Sequence, residues 1–289
     1  MSVGTQGLIL GLMSLGVYIS YKILNCADMS ADGSFALGGA IIAASLKSGL
    51  SPAVGSLLAV TAGLAAGLLT GILHVKVKIT DLLSGILVMG ILYSLNLRIM
   101  GRANIPLFDT KHMFSYQLSP IIIALMLVAL CKVSLDLFLK TGLGYTLKAV
   151  GDNPQMVSSL GIKVGSIKIL GLMLSNALIS LSGSIMAQYQ GFSDASMGIG
   201  TLVLGIASII IGQTLFRKTR FLKKTSIILV GTIIYQFTIY IAMNLGMAAT
   251  DLKMVTSVVI ILFLGLGRIR SNGKISVFSM RGILYAKNS

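Results

Sequence analysis

Glutamate is absent from this 289-residue chain: all eight acidic residues are aspartates, and only two histidines and two cysteines occur. Acid–base enzymes draw mostly on His, Glu and Asp, so this inventory is thin for catalysis and no catalytic residue is expected. Cys26 and Cys131 lie far apart, next to or within apolar runs, which suggests neither a disulfide nor a metal site. No positive n-region precedes the first apolar run, MSVGTQGLILGLMSLGVYIS, and more such runs follow, so no cleavable signal peptide is expected. A phosphate loop is missing as well. The nearest stretch, GRIRSNGKIS, has five residues between Gly267 and Gly273 and places Ile275 where a hydroxyl is needed.

What the chain has is apolar surface. Hydrophobic residues make up 55% and charged residues 11%, with a mean hydropathy of +0.93. A soluble domain of this size has no use for so much, so the chain reads as an integral membrane protein, all-α, a polytopic transmembrane helical bundle. A spanning helix wants about 20 apolar residues. Nine segments are read, at 7–22, 35–47, 52–74, 82–97, 118–137, 167–188, 200–216, 225–244 and 252–267, giving eight to nine membrane segments. Segment 35–47 is short for a crossing and is expected to be half of a broken or re-entrant helix, which is tolerated only under cover of protein or a water-filled cavity. Residues 1–267 then form one transmembrane domain and 268–289 a basic tail.

The net charge of +15 falls in short loops beside apolar runs, where topology and not nucleic acid would put it. With the C-terminus inside, 18 Lys and Arg lie on the inner side and five on the outer. This asymmetry predicts a cytoplasmic C-terminus, a cytoplasmic 141–166 segment and an external 98–117 loop.

Three patterns carry candidate function. Gly55, Ala59, Gly63, Gly67 and Gly71 recur at every fourth position, a signal for close helix packing, and predict a central helix packed on several sides. Asn176, Ser180, Ser184 and Gln188 form a polar stripe on one apolar run, and Thr232, Gln236, Tyr240 and Asn244 form another. Tyr93 and Asn96 add to these. Each residue alone reads equally well as an interhelical hydrogen bond worth about 0.6 kcal/mol. Taken together, two uncharged stripes favour a water-lined path for a neutral or zwitterionic solute. Asp28 and Asp32 read as helix caps, and no intramembrane acid stands out as an ion relay.

The third pattern is TGLGYTLKAVGDNPQMVSSLGIKVG, residues 141–165. Asn153 is a good N-cap, Pro154 suits the first helical position and Gly161 a left-handed C-terminal cap. The two turns between them are expected to expose Met156, Val157 and Leu160 on one side. So short a helix needs a surface to lie on.

Gly144 to Pro154, running on to Gly161-Ile162, resembles the cytoplasmic loop of bacterial ABC-importer permeases of the branched-chain amino acid, ribose and simple-sugar type. DMSADGSFALGGA (28–40) resembles that family's first block, SGSIMAQYQGFSDASMGIGTLVLGIASIIIGQ (182–213) its later one, and KITDLLSGILVMGILYSLNLRIMGRANIPLF (78–108) a subgroup with predicted amino acid substrates. The similarity spans roughly residues 20–270. It implies a second permease copy, two cytoplasmic ATPase subunits that use ATP, an external solute-binding protein, a bacterial plasma-membrane location, and no cofactor or enzymatic site in this chain. By position it implies that Ala149, Gly151, Asp152, Asn153 and Pro154 through Met156, Val157, Leu160 and Gly161 couple to the ATPase. Gln213 departs from the pattern, standing where an acidic residue is expected. The alternative is a secondary carrier or facilitator that works without ATPase subunits.

Overall fold

The computed structural model describes residues 2–115, 119–216 and 223–246, with 254, 257, 258 and 261. Expected segment 252–267 falls mostly, and the tail 268–289 wholly, outside these residues, as does most of the basic run 217–224.

Ten α-helices dominate the described residues. In chain order they are α1 (Val3–Val17), prolonged by a π-helical turn Tyr18–Ile23, α2 (Ser30–Lys47), α3 (Pro52–Val75), α4 (Asp81–Met100), α5 (Pro120–Phe138), α6 (Gly142–Asp152), α7 (Pro154–Ser159), α8 (Val164–Gln190), α9 (Thr201–Leu215) and α10 (Lys224–Asn244). Six helical stretches are long and apolar enough to cross a membrane: Val3–Ile23, α3, α4, α5, α8 and α10. Segments α2 and α9 fall short of that standard, so the count of eight to nine spans is not reached among the described residues. The reason is composition for α2, which carries Ser30, Asp32, Ser34 and several glycines, and length for α9, which has 15 residues.

The helix at the centre is α1. Ile9, Leu12, Met13, Leu15 and Ile19 are fully buried, and α8, α9, α10 and α5 surround it. Its glycines bring partners close: Gly11 lies against Leu229 of α10, and Gly16 against Ile179 and the Ser175 carbonyl of α8. Hydroxyls then bond across the gap, Ser182 to the Ile9 carbonyl at 2.7 Å and Ser175 to the Gly16 carbonyl at 2.8 Å.

Helix α3 was expected at that central place. It packs through one face, where Gly63, Gly67 and Gly71 meet α8 and Gly55 meets Ile42 and Ser45 of α2. Val54, Leu57, Leu58 and Leu68 stand exposed on its other side. A small residue at every fourth position makes one flat seam, which serves one layer of neighbours and does not enclose a helix.

The 35–47 segment is no short fragment. Helix α2 is continuous over 18 residues, about 27 Å at 1.5 Å per residue, and nearly all of it is buried. The break lies before it. Leu24–Met29 is unwound, with Asn25 at φ +51°, and α2 starts inside the bundle beside Asn176, near the middle of α8. From there α2 runs alongside α8, with Gly38 against the Ser180 carbonyl and Gly183 against the Phe35 carbonyl.

Both aspartates at this start are buried caps. Asp28 accepts from the Ser30 N–H at 2.9 Å, the Ser30 hydroxyl, and the Asn176 amide at 2.7 Å. It lies within the bundle in the capping role expected of it, and it is held there because three donors converge on it. Asp32 caps a different helix from its own. It accepts from the Gly200 N–H at 2.8 Å, the Leu202 N–H at 2.8 Å and the Thr201 hydroxyl at 3.0 Å, all at the start of α9.

A two-stranded antiparallel ladder, β1 (Asn104–Pro106) with β2 (Phe192–Asp194), closes the end of the bundle where α8 finishes. This is the strand end. The opposite end, where α6 and α7 lie, is the basic end.

Candidate functional site

At the basic end the chain leaves α5, turns, and folds back as α6. The Thr141 hydroxyl caps α6, accepting from the Gly144 N–H at 3.3 Å. Gly144 sits against the Phe138 carbonyl and Leu139, and Gly151 against the Ile23 carbonyl, where a side chain has no room. The Asn25 amide donates to the Gly151 carbonyl at 2.9 Å, pinning α6 to the foot of α1. Leu147 and Val150 bury one face of α6 in the main core.

Helix α7 follows at once. Asn153 accepts from the Met156 N–H at 3.1 Å, Pro154 opens the helix, and Gly161 stands at φ +79°. Val157, expected at the surface, is only 2% exposed. The reason is position: α7 lies on the bundle through Val157, so residues one before and three after it point away. Met156 is 60% exposed, Leu160 67% and, on α6, Tyr145 60%. Asp152, Asn153 and Pro154 are exposed too, while Ala149 is half-buried against the core. The result is a stiff platform: apolar side chains face out from backbone that is capped, pinned and backed by core.

The polar stripes occupy two separate places. On α8, Asn176 accepts from Ser30 at 3.2 Å and Ser34 at 2.7 Å, Ser180 donates to the Ala59 carbonyl at 2.7 Å, and Ser184 reaches the Ser56 hydroxyl at 3.4 Å. These face α2 and α3. On α10, Thr232 donates to the Ser14 hydroxyl of α1 at 3.1 Å, with Gln236 a turn further along near Gly7. Helix α1 stands between the two stripes, which therefore do not share a lining within one chain. Asn96 of α4 is buried and donates to the Gly33 carbonyl at 3.4 Å, while its amide oxygen has no partner among the described residues. Tyr93 and Tyr240 point outward, each 48% exposed.

A concavity that sequence reasoning missed lies at the strand end. It measures about 670 Å³ and is lined by residues of α1, α2, α8, β2, α9 and α10. Its aromatic walls are Phe35, Phe192 and Tyr235, and its polar groups include Gln6, Gln190, Asp194 and Ser196. No periodic signal could have found it, since each element contributes only a few residues. Its volume and its mix of apolar wall with few polar groups are those of a small-molecule site. Desolvation opposes ionisation of Asp194, but donors from the Ser196 hydroxyl and N–H and from Asn104 outweigh it, so the carboxyl is held below its usual range. The cap made by Asp32 forms the neighbouring wall at Gly200 and Thr201. Next to Met113, whose N–H donates to Gln188 of α8, burial pushes His112 below the ordinary imidazole range, favouring its neutral form. Among the described residues no group of His, Cys or acidic side chains could hold a metal ion.

Residues 1–265 match the family model of the branched-chain amino acid transport system permease component. A tyrosine transport system permease protein of Clostridioides difficile is 66% identical over 268 residues, 93% of this chain and 91% of that one. A protein of Rickettsia prowazekii is 33% identical over 271 residues, covering 92% and 95%. An autoinducer 2 import system permease protein of Yersinia enterocolitica is 28% identical over 213 residues, covering 71% and 57%. No solved structure matches.

Proposed function

The chain belongs to the family of branched-chain amino acid transport system permease components, and from that premise we propose that it is the gated path of an ATP-driven importer of an aromatic amino acid, tyrosine foremost. It works as one of two permease copies in a bacterial plasma membrane. Its basic end and C-terminus face the cytoplasm, where two ATPase subunits bind and use ATP, and its strand end faces an external solute-binding protein. The chain itself holds no ATP site and no cofactor.

The observation that carries this reading is the α6–α7 platform. Exposed apolar groups on rigid backing mark a protein contact, and Tyr145, Met156 and Leu160 are such groups. The residues from Ala149 to Gly161 divide the work. Met156 and Leu160 enter the ATPase surface. Gly151, Asn153, Pro154 and Gly161 fix the backbone, and Val157 and Ala149 transmit displacement to α8 and α1.

The solute reading rests on the strand-end cavity. Phe35, Phe192 and Tyr235 suit an aromatic ring, Asp194 suits an ammonium group, and Gln6 and Gln190 suit polar ends. The relative that is 66% identical is a tyrosine permease, which agrees with that chemistry. The stripes on α8 and α10 change partners as the path opens. Exchanging inward- and outward-open populations from 1:99 to 99:1 takes about 5.5 kcal/mol of differential interaction. One small helix contact is too little, so two platforms share it.

The experiment is uptake of labelled tyrosine by vesicles holding the chain with its ATPase and binding protein. Met156→Asp and Leu160→Asp are expected to lower uptake at least about tenfold and to uncouple ATP hydrolysis from solute, each 1.4 kcal/mol of lost contact being a factor of ten. Normal coupling in an intact assembly would refute the docking role. Equal uptake of tyrosine, leucine and ribose would refute the solute assignment and leave the docking role standing.

A further inference from the structure

A second cavity, about 470 Å³, opens at the basic end between the π-helical turn after α1, the end of α5, helix α6 and the start of α10. Its lining holds five lysines, Lys22, Lys140, Lys148, Lys223 and Lys224, against two aspartates, Asp136 and Asp152. Two of the lysines are already engaged. Lys223 pairs with Asp136 at 3.1 Å, and Lys148 donates to the Leu139 carbonyl at 2.8 Å with its ammonium 5.1 Å from the Tyr145 ring centre. Asp136 is shared as well, since it also accepts from Lys132 at 3.1 Å and from the Thr225 hydroxyl at 2.7 Å. Lys22, Lys140 and Lys224 have no anionic partner among the described residues.

These three exposed lysines line one concavity, and like charges held near one another repel. A bound anion removes that repulsion. The deeper wall is apolar, made by Tyr18, Ile23 and Leu139. The same helix that brings Asp136 to the lining, α5, exposes Leu130, Val133 and Leu137, apolar side chains of a spanning helix.

We propose that this cavity binds the phosphate headgroup of an anionic phospholipid, whose acyl chains lie along α5. Basic pockets between transmembrane helices are the chemistry that holds such headgroups. A lipid fits better than an acidic segment of a protein partner, because exposed apolar surface of a spanning helix adjoins the cavity. The cavity adjoins the platform: Tyr145 and Asp152 share its lining, whereas Met156 of α7 and Leu160 at its C-cap do not. The headgroup bridges the end of α5 and the start of α10 to the π-helical turn through Lys140, Lys224 and Lys22, and that turn carries the platform because Gly151 of α6 rests on its Ile23 carbonyl.

Native mass spectrometry of the purified full-length chain, titrated with phosphatidylglycerol or phosphatidylcholine, tests this. Phosphatidylglycerol is expected to bind at least about tenfold more tightly, and Lys22→Gln, Lys140→Gln and Lys224→Gln together are expected to abolish that preference. Arginine at the same three positions is expected to preserve it, which separates loss of charge from loss of fold. Lys76→Gln with Lys78→Gln, exposed between α3 and α4, is the control and is expected to change nothing. A preference that survives the triple glutamine variant, or falls equally in the control, overturns the site. Displacement of the lipid by millimolar inorganic phosphate overturns the lipid assignment, as does exclusion of phosphatidylglycerol when the ATPase binds.

Discussion

The two ends of the bundle solve opposite problems with different kinds of residue. At the basic end, short helices are pinned from behind by Asn25, Gly151 and Val157, and what they present is convex, with Met156 and Leu160 outward. At the strand end, carboxylates do the pinning, Asp32 on α9 and Asp194 on its own turn, and the product is concave. A convex apolar surface on a stiff base suits a large partner that arrives and pulls. A concavity assembled from six elements suits a small molecule, and it changes shape whenever any of those elements moves. On the proposed reading, force enters at the convex end and is felt at the concave one.

That contrast can be broken at the seam joining the ends. Gly183→Val drives a side chain into the Phe35 carbonyl and should separate α2 from α8, costing about 3 kcal/mol or more and lowering the melting temperature along with any transport. Substitution of Met156 or Leu160 by Asp should leave the melting temperature unchanged and remove coupling only. If either lowered stability as far as Gly183→Val, the platform would belong to the core and the contrast would fail. Asp32→Ala should cost about 1–2 kcal/mol through the lost α9 cap. It should also weaken solute binding at the strand end, read as a higher KM with ATPase stimulation by the basic end intact.

The smallest effect concerns pH. The carboxyl of Asp194 is depressed in the folded protein, so its stabilising contribution is complete above the unfolded value of about 3.9 and is lost as pH falls through the folded one. Asp194→Asn should flatten the acid limb of a melting-temperature profile below about pH 4. It should also reduce tyrosine uptake at neutral pH, and unchanged uptake would remove Asp194 from the solute site.

Legibility followed distance along the chain. The cap at Asn153, Pro154 at the helix start and the left-handed Gly161 were readable because each acts within a few residues. The burial of Val157 was not, since it depends on where the bundle lies beneath α7. The small-residue seam on α3 was readable as a pattern, but its rank as a central helix was not, and α1 holds that place. The 35–47 segment read as broken for its few apolar residues, whereas the unwound stretch is Leu24–Met29, upstream of an unbroken α2.

Apolar runs of about 20 residues are enough to send this chain into a membrane as helices, since a helix satisfies every backbone group of such a run within the run. The sequence by itself also determined the local caps, which need only neighbours. Tertiary structure alone decided that Asp32 serves a helix that starts 169 residues away, that the two polar stripes face opposite sides of α1, and that six elements line a cavity. Those outcomes depend on which helices lie side by side, and a hydrogen bond or a concavity between elements leaves no periodic mark on any one of them.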